Sequence, residues 1–134
     1  MYYDRKCKIT FMCNGATIFS EDDRFSDSEA YPPLSDTGVA EMEKICEYLK
    51  YRAIKNDKIF ASPATRTVQS AGMVSKLFKQ DFEIIEDLHP RKCGSFNNLT
   101  FEQVYETSPD AMETLINSPE TPVPSDAESV TNFI

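Results

Sequence analysis

A strand followed at once by a helix, between Asp57 and Ala71, constrains the fold of this chain more than any other stretch. Residues 58–61 predict a short buried strand that ends at Ser62-Pro63, and the residues after it predict a helix. Arg66 then falls in the first turn of that helix, where unpaired backbone N–H groups and the helix dipole favour an anion. A guanidinium there can bind phosphate through two parallel hydrogen bonds, although an isolated helical arginine is more often a solvated surface residue.

Strands alternate with helices along the rest of the chain. Residues 6–12 and 82–86 predict two further strands, and short helices are predicted over 100–106 and 109–117. Alternating strands and helices are typical of a parallel sheet, so we predict an α/β fold with the first strand beside the second. Two longer helices are predicted from apolar residues at helical spacing: Val39, Met42, Ile45, Cys46 and Leu49 after a cap at Ser35 or Asp36, then Val68, Ala71, Val74, Leu77 and Phe78. Ser125–Glu128 has the pattern of a capping box that starts a last helix.

Three loops follow the carboxyl ends of the predicted strands. They are Cys13–Thr17, Ser62–Arg66 and the stretch around His89 and Arg91. The carboxyl ends of parallel strands meet at one edge of a sheet, which is where ligands bind in such folds. The sequence therefore predicts an anion pocket at this edge.

Composition excludes several classes of function. The chain has 134 residues, enough for one domain, and a formal net charge of −8 that argues against binding to nucleic acid or to anionic membranes. No apolar run is long enough for a membrane span, and the N-terminus has no signal-peptide pattern. The four cysteines, at positions 7, 13, 46 and 93, lack metal-site spacing, so we expect free thiols in a cytoplasmic protein that needs no metal or cofactor.

Several motifs, in order along the whole chain, resemble those of the histidine phosphatase (phosphoglycerate-mutase-like) superfamily. The most specific is Ala61–Ala71, which is similar to S-S-P-x-x-R-x-x-Q-T-A. Four others are Pro33–Gly38 (P-L-T-x-x-G), Phe96–Glu102 (W-E-G-L-T-x-E), Pro124–Ser129 (P-G-G-E-S) and Arg24-Phe25 (the substrate-contacting G-R-F). The resemblance implies a single, incomplete domain over residues 1–134, a three-layer α/β/α sandwich that lacks its C-terminal strand and helix. It also implies descent from enzymes that hydrolyse or transfer phosphate esters.

The chain departs from the family where the chemistry occurs. In place of R-H-G it has Cys13-Asn14-Gly15, so the resemblance puts the histidine nucleophile at Asn14 and the first phosphate-binding arginine at Cys13. An amide cannot accept a phosphoryl group as imidazole does, and a thiol offers no cationic fork. The family's general acid falls at Pro90, which has no acidic group. Glu86, Asp87 or Glu102 could replace it from other positions. The single histidine of the chain is His89, so the second catalytic histidine is also missing and no catalytic residue is intact.

The sequence leaves three functional hypotheses. The first is an inactive relative that binds a small phosphate or sulfate anion, or that forms a homo-oligomer or binds a partner protein at an open sheet edge. The second is the N-terminal portion of a phosphatase or phosphomutase whose intact form carries the missing histidines, and the third is a thiol-based enzyme that uses Cys13. The candidate phosphate-binding residues are Cys13, Asn14, Gly15, Thr17, Arg24, Arg66 and His89. Some of these also have purely structural interpretations, since Asn14-Gly15 is a common turn pair and Cys13 can be a half-buried thiol.

Overall fold

A computed structural model describes residues 6–27 and 31–133 of the chain. The helices are α1 (Ile18–Glu21), α2 (Asp36–Tyr51), α3 (Thr65–Phe78), α4 (Phe101–Thr107), α5 (Pro109–Asn117) and α6 (Val130–Phe133), and the strands are β1 (Phe60–Ala61) and β2 (Glu83–Ile84). Single turns of 3₁₀ helix lie at Glu86–Leu88 and Gly94–Phe96. In this part of the chain, every helix is too short or too polar to cross a membrane.

The two strands are parallel, as predicted. Phe60 lies opposite Glu83 and Ala61 opposite Ile84, and α3 connects the strands in the order expected for a βαβ unit. The strand predicted over 82–86 is shorter than expected, since β2 contains only Glu83 and Ile84, although the Ile85 backbone N–H also donates to the Ala61 carbonyl.

The strand predicted over residues 6–12 is wrong. Residues 7–12 have no regular secondary structure and no backbone hydrogen bond to another described residue, and Thr10 and Met12 line a cavity of about 150 Å³ together with Ile59 and Phe60. An alternating sequence favours an extended backbone, but a strand also needs a neighbour at hydrogen-bonding distance. Within the described residues the sheet has only the strands β1 and β2, so this segment is not part of it.

Helix α2 begins where the sequence predicted. Ser35 is its N-cap, and the Ser35 side chain accepts a hydrogen bond from the Gly38 backbone N–H. Met42 is fully buried, but Val39, which was predicted to lie on the apolar face, is 38% exposed. The reason is that the backbone of Ala16 covers the first turn at Gly38, and the next residue then points about 100° away from that contact.

The core lies where α2 and α3 pack on each other and on β1. Helix α3 contributes Ala71 and Val74, while Ala61 and Ala64 lie at the turn between β1 and α3. A second cluster, of aromatic rings, joins the rest of the chain: the ring centroid of Phe25 lies 5.7 Å from that of Phe96 and 4.7 Å from that of Phe101. These contacts pin the loop after α1 to the loop that precedes α4.

The last helix starts later than predicted. It begins at Val130, and the side chain of Ser129, not Ser125, accepts the backbone N–H three residues ahead, that of Asn132. Glu128, which was predicted to complete a capping box, instead accepts the backbone N–H of Lys92 through its carboxylate. A tertiary contact thus uses the carboxylate that the local pattern assigned to the helix end.

Candidate functional site

The loop that contains Asn14 and Gly15 is hydrogen-bonded to α3 through Ser70. The Gly15 backbone N–H donates to Ser70 Oγ at 3.3 Å, and Ser70 Oγ donates to the Arg66 carbonyl at 2.9 Å. Asn14 Nδ2 donates to the neighbouring Gly15 carbonyl at 2.7 Å, so this amide stabilises its own turn. The structure therefore joins the Asn14-Gly15 turn to α3 at Ser70, one helical turn after Arg66.

Arg66 is the most unusual group of this region. Its Nη1 atom is buried and has no hydrogen-bond partner among the described residues. Burial lowers the pKa of the guanidinium, and the nearby Asp27 carboxylate and Cys93 act in the opposite direction. A buried donor without a partner is costly, and anions are the ligands that satisfy such a donor best.

Asp27 sets the electrostatics around Arg66. Its side chain is only 1% exposed, and Oδ2 accepts the Cys93 backbone N–H at 3.0 Å. The carboxylate raises the pKa of Arg66 and thereby stabilises its charged form. It also offsets part of the positive charge that would attract an anion.

The Cys93 thiol lies in the same environment, which favours its protonated form. Burial raises its pKa most, Asp27 raises it further, and Arg91 and Arg66 lower it in part. A thiol with a raised pKa is a poor nucleophile at neutral pH.

Thr17 and Arg24, two of the predicted phosphate ligands, have local partners. Thr17 is buried and caps α1, its Oγ1 accepting the Ser20 backbone N–H at 3.2 Å. Arg24 donates through Nη1 to the Asn98 carbonyl at 2.8 Å and through Nε to Asp22 at 3.3 Å. Both side chains thus hold neighbouring loops together.

His89 and Cys13 lie on different sides of the α3 N-terminus. His89 Nδ1 is 3.1 Å from the Pro90 carbonyl oxygen, and its ring packs edge-on against Phe133. With Pro63 it lines a shallow pocket that also contains Glu86 and Asp87. Cys13 is exposed and lines the cavity beside β1 instead.

The general acid position and its possible replacements contribute little to this geometry. Pro90 has no acidic group, and Glu102 is an exposed residue in the first turn of α4. Within the described residues, no group of three or more His, Cys, Asp or Glu side chains is placed to hold a metal ion.

Three residues of this site were not predicted from the sequence: Asp27, Ser70 and Cys93. Asp27 lies in an acidic loop in which Asp22 and Asp23 have the same local pattern, so nothing in the sequence distinguishes the buried carboxylate. Ser70 had a usable signal, because it lies four residues after Arg66 on α3 and so on the same helix face.

The sequence profile of the histidine phosphatase superfamily (branch 1) matches residues 9–134. The chain belongs to this superfamily. A comparison of the chain with curated protein sequences found no match.

Solved structures of similar fold include several phosphatases. A mycobacterial glucosyl-3-phosphoglycerate phosphatase in complex with VO₃ has a TM-score of 0.77 at 20% identity, over 87% of this chain and 56% of its own. An α-ribazole phosphatase from Shigella flexneri has a TM-score of 0.75 at 18% identity, over 90% of this chain and 58% of its own. A protein described as mycobacterial hydrolase 1 has a TM-score of 0.79 at 19% identity, over 90% and 56%.

These neighbours show that the α/β fold of this chain is phosphoglycerate-mutase-like. The chain spans a little over half the length of the solved structures that it resembles, 56% for the first of them.

Proposed function

We propose that this chain is a non-catalytic member of the histidine phosphatase superfamily that binds a small oxyanion, such as phosphate or sulfate, at the start of α3. The observation that carries the proposal is the buried Nη1 of Arg66, which has no hydrogen-bond partner in the described part of the chain. A phosphate oxygen would satisfy this donor with a charge-assisted hydrogen bond. Backbone N–H groups in the first turn of α3 would complete the cradle.

We expect binding at this site to be weak for three reasons. Asp27 already offsets part of the Arg66 charge, and Cys13 stands where the family has a second arginine. One missing charge-assisted contact removes about 1.5–3 kcal/mol, which is a factor of roughly ten to a hundred in affinity or more. The net charge of −8 adds a general repulsion. We therefore expect dissociation constants in about the millimolar range.

Phosphoryl transfer through a phosphohistidine is not part of the proposal. Asn14 replaces the nucleophile, and the remaining histidine, His89, contacts Pro90 and Phe133. The role we propose is therefore binding, in the cytoplasm, where the four free thiols would remain reduced.

Titration with inorganic phosphate tests this proposal. Backbone amide shifts of Gly15 and Arg66 should move and saturate at millimolar phosphate, and Arg66→Ala should weaken the affinity by about tenfold or more. Arg66→Lys, which keeps the charge but loses the planar fork, should fall between the two. Arg52→Ala is the control. Arg52 is the C-cap of α2, at the opposite end of that helix from the contact with Ala16, and its guanidinium packs on the Tyr48 ring. Unmoved Gly15 and Arg66 amides at tens of millimolar phosphate would refute the site.

The second candidate function is hydrolysis of a phosphate ester, the activity stated in the names of two structural relatives. It requires histidines from a further part of the protein, which the greater length of the relatives makes reasonable. Hydrolysis assays with an aryl phosphate and a panel of sugar phosphates distinguish the two candidates. The non-catalytic proposal predicts no turnover by the 134-residue chain. Turnover that Cys13→Ser abolishes would instead favour the thiol-based enzyme.

A further inference from the structure

The segment Cys7–Cys13, called here the N-terminal segment, is an exposed stretch without regular secondary structure. Each of its seven residues is exposed, with Ile9 at 68% and Phe11 at 90%. Within the described residues, none of its backbone N–H or C=O groups has a hydrogen-bond partner. An exposed and largely apolar segment with unpaired backbone groups can pair with another strand once it becomes extended.

The side chains of the N-terminal segment separate into two different faces. When the segment is extended, the alternation places Cys7, Ile9, Phe11 and Cys13 on one side and Lys8, Thr10 and Met12 on the other. One face is therefore wholly apolar and the other carries a positive charge. No acidic residue occurs between Lys6 and Ser20, in a chain that is otherwise strongly acidic.

We propose that two copies of this chain dimerise by antiparallel pairing of their N-terminal segments about a two-fold axis at Thr10. This register places Ile9 opposite Phe11 of the second copy, Lys8 opposite Met12, and Thr10 opposite Thr10. Each pair joins residues of the same face, and aromatic–β-branched and Thr–Thr pairs are favourable across strands. The two strands would satisfy one another's backbone groups, and the contact would be isologous.

Charge disfavours the registers centred nearer the amino end of the segment. An axis at Lys8 would put the two Lys8 side chains directly opposite each other, and an axis at Cys7 would put Lys6 opposite Lys8. An axis at Ile9 would leave the two Lys8 side chains as diagonal neighbours, about 7–8 Å apart. An axis between two residues would mix the apolar face with the charged one. The Thr10 axis avoids each of these, and it brings Cys7 opposite Cys13 of the second copy.

Sedimentation velocity of the purified chain at micromolar to tens of micromolar concentration tests the proposal. We expect a monomer–dimer equilibrium, and Phe11→Lys should weaken it by at least about tenfold, because each copy loses an apolar contact and gains a charge at the interface. Tyr51→Lys is the matched control, since Tyr51 is an aromatic residue with a similar exposure of 85% at the end of α2. Its dimer should be as stable as that of the unmodified chain, and circular dichroism should show that both variants fold.

Disulfide trapping tests the register itself. Directly opposed residues of an antiparallel pair have Cα atoms about 4.5–5.5 Å apart, within the range that a disulfide spans. Diamide oxidises two thiols to a disulfide and is itself reduced to the hydrazine, so it should trap a covalent dimer linked Cys7 to Cys13. Cys7→Ser should abolish this species on a non-reducing gel and leave the dimer seen by sedimentation intact.

The results separate the proposal from its rivals. A dimer that Phe11→Lys disrupts, that Tyr51→Lys preserves and that diamide traps through Cys7 and Cys13 would support it. A monomer at all concentrations, a dimer insensitive to Phe11→Lys, or a Phe11-dependent dimer without the Cys7–Cys13 link would each overturn it.

Discussion

At the scale of single residues, two glycines decide how the site loop meets α2. A Cβ atom on Gly15 would lie 2.3 Å from the Gly38 carbonyl oxygen, and one on Gly38 would lie 2.0 Å from the carbonyl oxygen of Ala16. Both contacts are with backbone, which cannot rotate away as a side chain can. The close approach allows the Ala16 carbonyl to accept the Ser35 backbone N–H at 3.0 Å and positions the Asn14-Gly15 turn.

Gly38→Ala tests this close approach. Alanine forms helices better than glycine by about 1 kcal/mol, but overpacking costs about 1–3 kcal/mol. We expect the free energy of unfolding, measured by urea denaturation, to fall. Gly72→Ala is the control, because α3 leaves nothing within 4 Å of a Cβ at that position, and it should stabilise the protein by about 0.5–1 kcal/mol. A stabilised Gly38→Ala would contradict the packing.

At the scale of elements, α4 and α5 begin in different ways although both follow a hydroxyl residue. Thr100 and Gln103 form a reciprocal capping box, with hydrogen bonds of 3.1 and 2.9 Å between each side chain and the other's backbone N–H. Ser108, the N-cap of α5, makes no capping hydrogen bond through its side chain. Pro109 instead starts that helix, since its ring fixes the first helical φ angle.

The two caps should respond differently to mutation. Thr100→Ala should lower the free energy of unfolding by about 0.5–2 kcal/mol, because it leaves the Gln103 N–H without its partner. Ser108→Ala should change it by no more than about 0.5 kcal/mol. Thermal and urea unfolding of both variants measure the difference, and equal losses would show that the capping box of α4 contributes nothing beyond a generic cap.

At the scale of the whole molecule, the C-terminal residues dock on the loop that carries His89 and Cys93. Arg91 joins the two parts, with Nε donating to the Glu128 carbonyl at 2.6 Å and Nη1 to the Pro119 carbonyl at 2.9 Å. The Glu128 backbone N–H donates to the Lys92 carbonyl. Since Asp27 accepts the next N–H along, that of Cys93, the environment of Arg66 depends on this docking.

Arg91→Ala should therefore loosen the C-terminal segment and affect Arg66 at a distance. Hydrogen bonds from a charged donor are worth about 1.5–3 kcal/mol, so we expect a loss of stability of this order. Hydrogen exchange should become faster at the backbone N–H of Glu128. Arg52→Ala, on the exposed end of α2, is the control and should leave both unchanged. Unchanged exchange at Glu128 in Arg91→Ala would show that Arg91 does not hold the segment.

The sequence by itself determined the elements whose signals are local. Helix α3, the Ser35 cap of α2, the short helices near 100–117 and the α/β class were predicted correctly. The buried strand predicted over 58–61 was correct only in part, because β1 contains only Phe60 and Ala61 and Phe60 is 51% exposed. Each follows from side-chain periodicity, turn residues or caps within a few positions along the chain. The family resemblance was equally local, because its motifs are short runs of residues.

Only the tertiary structure decided what depends on distant partners. Residues 6–12 have a strand-like pattern but are not part of the sheet. Val39 has the spacing of a core residue, but it points away from the contact between Gly38 and Ala16 and is 38% exposed. Asp27 looked like any other acid of its loop until burial placed it beside Arg66. Sequence periodicity specifies which face of an element is apolar, whereas pairing, burial and charge balance require a second element, and its position is fixed only when the chain is folded.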